Sequence, residues 1–598
     1  MPSYNPPVRD MKFVVHELWD IQKLLTTLPA FHAVDYDLID PILEEAARVC
    51  RDVIFPIHYA GDKEGCHFEN GNVVTPKGYK EAYQSFVEGG WMGLSGEIEY
   101  GGQGLPKMLQ ALLDEMTFSG SVAFGLYTML THGACHALAI YGSEAAKQTY
   151  LGKLVTGEWA GTMCLTESHA GTDLGLIRTK ASKQADGSYQ ITGTKIFITS
   201  GEHDLTENII HMVLARTTDA PAGIKGISLF LIPKFLVNND GSLGARNNAY
   251  CGSIEHKMGI KASSTCVMNF ENATGYLIGT ENQGMIAMFS MMNMERLNVG
   301  LQGLGLAETA YQNALIYAKE RLQGHAPGKR LLPEQPADPI IAHPDVRRML
   351  LTIKAYNEGA RALAAWVAMH IDISNHAEDT AVKQQASDRV ALLTPVIKAF
   401  FTDYGFDACN LALQVFGGHG FIAETGVEQY VRDARIPPIY EGANGIQALD
   451  LIKRKLILDK GKMLNDWLGL MQQFIGENKN NNKLDEFTQP LTQAIATLEA
   501  VSVWIQQNAA TDPAAIGAAS VDYLKLLALV SLAYMWASMA KVALAKVNEI
   551  NTEEQVFYNA KLHTGRFYMQ RLLPQITTLK KTIESGSGVL MDLEIEGF

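Results

Sequence analysis

These 598 residues have no excess of positive charge: 50 Lys and Arg stand against 64 Asp and Glu, a formal net charge of −14. Attachment to nucleic acid through phosphate contacts needs concentrated cationic surface, so that class of function is excluded as the main one. Cysteine is scarce. Its seven copies (Cys50, Cys66, Cys135, Cys164, Cys251, Cys266 and Cys409) are scattered, odd in number and contain no Cys-x-x-Cys step. That argues against a disulfide framework and a structural zinc site, predicts no metal, and fits a reducing compartment. No internal repeat is evident, and the only low-complexity stretch is the Asn-rich Glu477–Lys483. Met1–Asp10 holds three prolines and no apolar core, unlike a secretory signal. The apolar run Leu526–Ala540 stops at 15 residues and includes Ser531 and Ser538. A spanning helix needs about 20, so the run is predicted to be a buried helix, with no integral membrane segment. The expectation is a soluble, cytoplasmic protein.

What is present is an ordinary globular composition, 47% hydrophobic and 19% charged, long enough for several domains. Residues 1–40 read as an N-terminal extension with one short helix, from the spacing of Leu18, Ile21, Leu24, Leu25 and Leu28. Helical spacing (Ile42, Ala46, Val49, Val53) continues through 41–162, interrupted at Gly89-Gly90-Trp91 and Tyr100–Gly104. Over 163–283 the pattern changes to short β-rich runs: Tyr189–Thr199, His211–Arg216 and Gly226–Pro233. No long helix separates them, so an antiparallel sheet is predicted. Helical spacing returns over 284–458, crossed by the Pro-rich connection Gln323–Pro344, and persists over 459–598. That last region carries fifteen acidic and twelve basic side chains and no catalytic spacing; it is expected to cover the core. The predicted class is mostly α with a central antiparallel β domain.

Four segments carry chemistry: Cys164-Leu-Thr-Glu-Ser-His-Ala-Gly-Thr-Asp173, Lys195-Ile-Phe-Ile-Thr-Ser-Gly201, Gln414-Val-Phe-Gly-Gly-His-Gly-Phe421 and Ile439-Tyr-Glu-Gly-Ala-Asn-Gly-Ile-Gln447. Their order and spacing resemble the acyl-CoA dehydrogenase family over about residues 40–458. Supporting matches are Gly142-Ser-Glu, Gly157-Glu-Trp, Lys257–Ser263 and Tyr317-Ala-Lys-Glu-Arg321. The lead-in and the helical tail look like the long bacterial branch of that family. The resemblance implies an α–β–α architecture plus an extra C-terminal helical domain, bound FAD, and α,β-dehydrogenation of an acyl-CoA, a step of fatty-acid β-oxidation.

In that chemistry a base removes the α-proton while the β-hydrogen leaves as hydride, so the base must be desolvated and the thioester carbonyl polarised. The resemblance implies Glu441 as the base, with Gly442 allowing close backbone approach. An alternative position, on an earlier helix, falls on Glu295; with Glu441 present, Glu295 is expected to be a solvated or salt-bridged helix residue. Asn293 and Arg296, three apart, share a helix face, and by resemblance meet the substrate with Tyr440 and Gly442. Cofactor contacts are implied at Cys164, Thr166, Thr172, Phe197, Thr199, Arg321, Gln414, Gly417, Gly418, Ala443 and Gln447. Among these Phe197 covers a flavin face, and Thr172 sits near pyrophosphate or substrate. Arg321 and Gln414 would reach a neighbouring subunit's FAD, which implies a homodimer or dimer of dimers; an intrachain ion pair of Arg321 is the alternative. Gly300, Gly303 and Gly305 lie in helical context without a preceding strand, so no dinucleotide loop is expected there.

Three departures stand out. Phe197 replaces a frequent Trp, Ala443 replaces a frequent Thr and loses a hydroxyl, and the segment after Arg321 differs. The expected electron acceptor is an electron-transfer flavoprotein. The competing readings are an acyl-CoA oxidase, which passes electrons to oxygen, and a flavin-loaded binding or assembly protein without catalysis.

Overall fold

The computed structural model describes residues 2–328, 330–547 and 552–598, which form two compact units. The first comprises Glu45–Pro106 and Met116–Asn298; the second comprises Met1–Glu44, Lys107–Glu115 and Val299–Phe598.

The first unit is helical up to Thr156 apart from one hairpin, His67–Glu69 with Asn72–Val74. Helical spacing gave no hint of it, although Asn70-Gly71, both with positive φ, supplies the turn such a hairpin requires. Helix α1 (Val122–Tyr141) contains no Asp, Glu, Lys or Arg. It is buried along most of its length, and the Ser121 side chain caps it by accepting from the Phe124 N–H at 3.3 Å. Then come β1 (Ala160–Cys164), β2 (Lys180–Lys183), β3 (Tyr189–Thr199), β4 (Ile209–Thr217), β5 (Ser228–Pro233), β6 (Ala249–Ile254) and β7 (Thr265–Ile278). The order is β6-β7-β3-β2-β4-β1, and β5 pairs with both β7 and β4. The sheet therefore curls on itself around Ile191, Ile198, Val213, Phe230, Cys266 and Phe270.

Five of the strand pairings are antiparallel, as predicted, but β4 runs parallel to both β1 and β2. The absence of a long helix does not forbid a parallel pair. The crossover from β1 to β4 is made by the β2–β3 hairpin and its loops, which span the distance a helix usually spans.

Helix α2 (Gly284–Glu320) starts in the first unit and from Val299 belongs to the second. With α3 (Pro344–His376) and α4 (Thr380–Phe416) it supplies three of the long helices of that unit. Pro344 sits in the first turn of α3, and the Asp379 side chain caps α4. A Cβ at Gly300 would lie 2.8 Å from the Ile397 carbonyl oxygen, and one at Gly405 2.6 Å from that of Gly303. These glycines let α2 and α4 approach closely, which is a packing role, as the sequence context indicated. The N-terminal segment forms two short helices rather than one, Val8–Lys12 and Ile21–Thr27, the latter burying Ile21, Leu24 and Leu25.

The region beyond 459 is helical. Asn444–Asp450 forms the short α5, and the tail's helix α6 (Pro513–Lys546) is longer than the apolar run it contains. By length and composition it could cross a membrane, with a mean hydropathy of 1.6 over its most apolar window, but 89% of that window is buried inside the protein. It is a core helix, and the Trp536 indole donates to the Ala355 carbonyl of α3 at 3.1 Å. A buried charge cluster joins distant parts of this unit. Arg361 pairs with Glu115, Glu308 and Asp10, while Lys561 pairs with Asp10 and Glu358. Removing one member would strand a buried charge. The tail is thus built into the packing of its unit.

Candidate active site

In the first unit the site grows from a β-bulge. Along β3, Lys195 pairs with Met268 and Ile198 with Cys266, so two residues, Ile196 and Phe197, face the single Val267. The bulge reverses the alternation of the strand. Ile198 turns inward, and Phe197, with φ 58°, turns outward with 60% of its surface exposed. A phenyl ring in that position and a non-glycine residue in left-handed backbone are both costly, a combination concentrated at functional sites. The Ile196 N–H donates to the Thr166 carbonyl at 2.9 Å, which sets Thr166 beside Phe197. Thr199, at the end of β3, accepts a 2.6 Å hydrogen bond at its carbonyl from Thr162 Oγ1. The side chains of Thr166 and Thr199 remain half-buried.

A buried lysine locks this arrangement. Lys195 has no exposed surface, and its ammonium donates to the Leu165 carbonyl and to Glu167 Oε1, each at 2.9 Å. Glu167 also accepts from the Arg178 and Thr179 N–H groups and from Thr179 Oγ1. Burial works against the charged carboxyl, but Lys195 and these hydrogen bonds outweigh it and hold Glu167 at about 2. Sequence reasoning quoted Glu167 and Lys195 without giving either a role. The missed signal was Lys195 in phase with the core-facing Ile191, a register in which a lysine needs a counter-charge.

Cys164 lies wholly inside the sheet, and burial pushes its thiol up. Any cofactor contact it makes is through its main chain. Thr172 is exposed on the loop after β1. On α2, Arg296 Nη1 donates to Asn293 Oδ1 at 2.9 Å, so the two do share a face. Glu295 requires a correction: it is fully buried, not solvated. Its carboxylate packs against Gly133 of α1, where a Cβ would collide with Oε1. The missing side chain at Gly133 makes the room.

In the second unit one group gathers around Tyr317. Its ring stacks on Phe416 with centroids 4.3 Å apart, and its hydroxyl meets His419 Nδ1 at 3.2 Å. These contacts bring the end of α2, with Arg321, toward the segment Gln414–Gly418. Arg321 and Gln414 are exposed, and Arg321 has no ion pair among the described residues. Gly417 has φ 57° and Gly418 an ordinary one, and a Cβ on either would meet nothing within 4 Å. Packing inside this chain therefore does not demand a glycine at 418, which leaves open space for something outside it. Tyr317 and His419 were missed because stacking between separate helices leaves no local pattern.

The second group is the loop carrying Glu441. Glu441 and Gly442 have consecutive left-handed φ values, 55° and 84°. The Glu441 side chain is half-buried and reachable from solvent. Tyr440 donates from its hydroxyl to the buried Gln302 at 2.5 Å. Gln447 is fully buried, with its amide 3.5 Å from the Glu441 carbonyl and 3.4 Å from that of Gly442. Those contacts are long, and Gln447 Oε1 is buried without a hydrogen-bond partner among the described residues. Ala443 occupies the N-cap position of α5 and supplies no cap. The Thr hydroxyl that the family often has there would be placed to cap this helix as well.

The chain matches four family models in order. Residues 40–158 match "Acyl-CoA dehydrogenase, N-terminal domain", 162–273 the middle domain, 282–456 the C-terminal domain, and 467–594 "Acetyl-CoA dehydrogenase C-terminal like". It is 43% identical to the 3-methylmercaptopropionyl-CoA dehydrogenase of Ruegeria pomeroyi, over 98% of this chain and 99% of that one. It is 35% identical to a butyryl-CoA dehydrogenase of Syntrophomonas wolfei, over 100% and 99%. Its fold is also that of a Bacillus anthracis acyl-CoA dehydrogenase complexed with FAD (TM-score 0.73, 20% identity, 96% and 91% covered).

Proposed function

The chain belongs to the acyl-CoA dehydrogenase family, and from that premise we propose that it oxidises a short acyl-CoA between its α and β carbons, with Glu441 as the base and FAD as the cofactor. One observation carries the assignment of the base. Of the two candidate carboxylates, Glu441 presents surface on a loop of constrained backbone, whereas Glu295 is sealed against Gly133. A proton on a substrate carbon can be taken only by a group the substrate can reach.

The residues present fit a flavin. Phe197 offers an exposed ring to cover a flat heterocycle, and Thr166 and Thr199 stand beside it as hydrogen-bonding neighbours. Arg321 is an exposed guanidinium suited to a pyrophosphate, and Gln414, Gly417 and Gly418 leave open backbone next to it. If Arg321 and Gln414 serve a neighbouring subunit's FAD, the working form is a homodimer or a dimer of dimers. FAD, when bound, supplies the acceptor for the β-hydrogen. The chain's own work is to keep the Glu441 carboxylate aimed at the α-carbon, with Tyr440 and the backbone at Gly442 of the same loop holding the thioester. The domain limits 41–162, 163–283, 284–458 and 459–598 are retained, the last as a covering domain. The electron acceptor is an electron-transfer flavoprotein and the setting is cytoplasmic.

The two full-length relatives act, by name, on 3-methylmercaptopropionyl-CoA and butyryl-CoA, which makes short acyl chains the first substrates to try. The test is anaerobic titration of the purified protein with these two and with longer acyl-CoAs. A yellow protein bleached by at least one of them is expected. A colourless protein that cannot be reconstituted with FAD, or a yellow one that no acyl-CoA bleaches, sinks the proposal. Rapid formation of peroxide on admitting air would move the protein to the oxidase reading.

A further inference from the structure

We propose that Lys398 is a positioning residue for the carboxylate of Glu441, an inference that rests on reading Glu441 as the base. Lys398 lies on α4, three residues after the helix-internal Pro395, and has no exposed surface. Its ammonium donates to the Pro437 carbonyl at 2.9 Å and to Asn444 Oδ1 at 2.8 Å. These are the two ends of the loop that carries Glu441. A single buried cation therefore pins the loop on both sides of the carboxylate.

Asn444 extends the clamp. Its amide nitrogen donates to the Ala399 carbonyl at 3.1 Å, to Thr402 Oγ1 at 2.9 Å and to Asp403 Oδ1 at 2.7 Å, while its own N–H donates to the Pro438 carbonyl at 3.1 Å. One face of α4 thus grips the far end of the loop. The conformation being held is an unfavourable one. Glu441, a residue with a Cβ, sits at φ 55° and is followed by Gly442 at 84°. Such backbone persists only where its surroundings over-determine it. The Gln447 contacts to the same loop are too long to do this alone. A hydrogen bond from a charged donor is stronger than a neutral one, and stronger still away from water. Lys398 therefore supplies the restraint that keeps the Glu441 backbone left-handed and its carboxylate in one place. It acts through the loop without touching substrate or cofactor.

The test uses the full FAD-loaded chain and whichever of butyryl-CoA and 3-methylmercaptopropionyl-CoA bleaches it faster, with Lys398→Met, Asn444→Ala, Glu441→Gln and the double variant Lys398→Met/Glu441→Gln. Lys398→Met keeps the stem and removes the ammonium. It should retain FAD and the native KM while the rate of flavin reduction falls by up to about 10²-fold, the scale of a small misplacement of a reacting group. The kinetic isotope effect with α-deuterated substrate should rise, because proton removal becomes the slow step. Asn444→Ala should shift both readouts in the same direction by less. The double variant should be no slower than Glu441→Gln, since there is no base left to position.

Native rates and isotope effects in both clamp variants, or a loss confined to KM, would overturn the proposal while leaving Glu441 as the base. If Lys398→Met does not fold, Asn444→Ala decides by the same criteria. A Glu441→Gln variant that reduces its flavin at the native rate overturns the underlying reading, and the positioning role with it.

Discussion

Phe197 in the first unit and Glu441 in the second are both non-glycine residues in left-handed backbone, at 58° and 55°. Each is held by a fully buried lysine that donates to one main-chain carbonyl and one side-chain oxygen: Lys195 to Leu165 and Glu167, Lys398 to Pro437 and Asn444. The difference lies in the second acceptor. Lys195 meets a carboxylate that is itself bound by two backbone N–H groups and a hydroxyl, so charge is matched by charge at the bulge that presents Phe197. Lys398 donates to an amide, and the carboxylate of its loop, Glu441, is the proposed base. Two locks can thus share one geometry and differ in the chemistry of the second acceptor, a carboxylate for Lys195 and an amide for Lys398.

The comparison can be broken most decisively at the two residues the locks present. Glu441→Gln keeps size and hydrogen bonding but cannot accept a proton. Flavin reduction should fall by about 10²–10⁴-fold with FAD still bound, whereas Phe197→Leu should weaken FAD retention and leave proton removal in the residual holoenzyme largely intact. Stopped-flow bleaching and FAD occupancy separate the two, and equal effects of both substitutions on either readout would erase the distinction.

The locks themselves come next. Lys195→Met strands the Glu167 carboxylate in the interior and should cost about 3–5 kcal/mol. Lys398→Met takes the ammonium from the Pro437 carbonyl and the Asn444 amide oxygen and from the neighbourhood of the exposed Asp403, and should cost about 1–3 kcal/mol. Denaturant midpoints of the two variants, compared at neutral pH, test the order. A Lys195→Met/Glu167→Gln double variant should recover part of the larger loss.

Acid should discriminate more gently. His203 and His211 are buried in the first unit and held at about 3, first by burial and then by Lys234. Below about 6.5 the unfolded chain takes up protons that these folded imidazoles refuse. Stability is therefore lost as pH falls from about 6.5 toward 3, by up to about 1.4 kcal/mol per pH unit for each group. Glu167, depressed to about 2, contributes above its unfolded value of 4.5 and loses that contribution between 4.5 and 2. In the second unit burial pushes Glu115 and Asp372 up to about 7 and Asp114 to about 6, and these carboxyls add stability as pH falls through the same range, so the measurement is a difference: below pH 6.5 His203→Gln/His211→Gln, if it folds, should lose less stability than the native chain. Equal losses in the two proteins would contradict the assignment.

The smallest expected effect is at the start of α5. Ala443→Ser restores an N-cap hydroxyl and should add about 1 kcal/mol without changing the base. A melt that does not rise would mean that the helix start is satisfied in another way.

The sequence alone determined the alternation of helical and β-rich regions, because side-chain periodicity is a local property. It also determined the family, since the segments holding Phe197, Thr199, Gln414 and Glu441 are motifs readable in order. Which way a side chain faces was decided elsewhere. Phe197 turns outward because β3 is bulged against Val267 of a strand far along the chain. Glu295, expected to be solvated or salt-bridged because Glu441 is present, is buried where Gly133 of α1 leaves a space for its carboxylate. β4 runs parallel to β1 and β2 because the crossover is made of strands, a route no local pattern announces. Lys195 and Lys398 read as unremarkable lysines in sequence. Their roles exist only where folding removes the ammonium from water and forces it to find oxygen acceptors in other segments, a cost of burial that only tertiary contacts can offset.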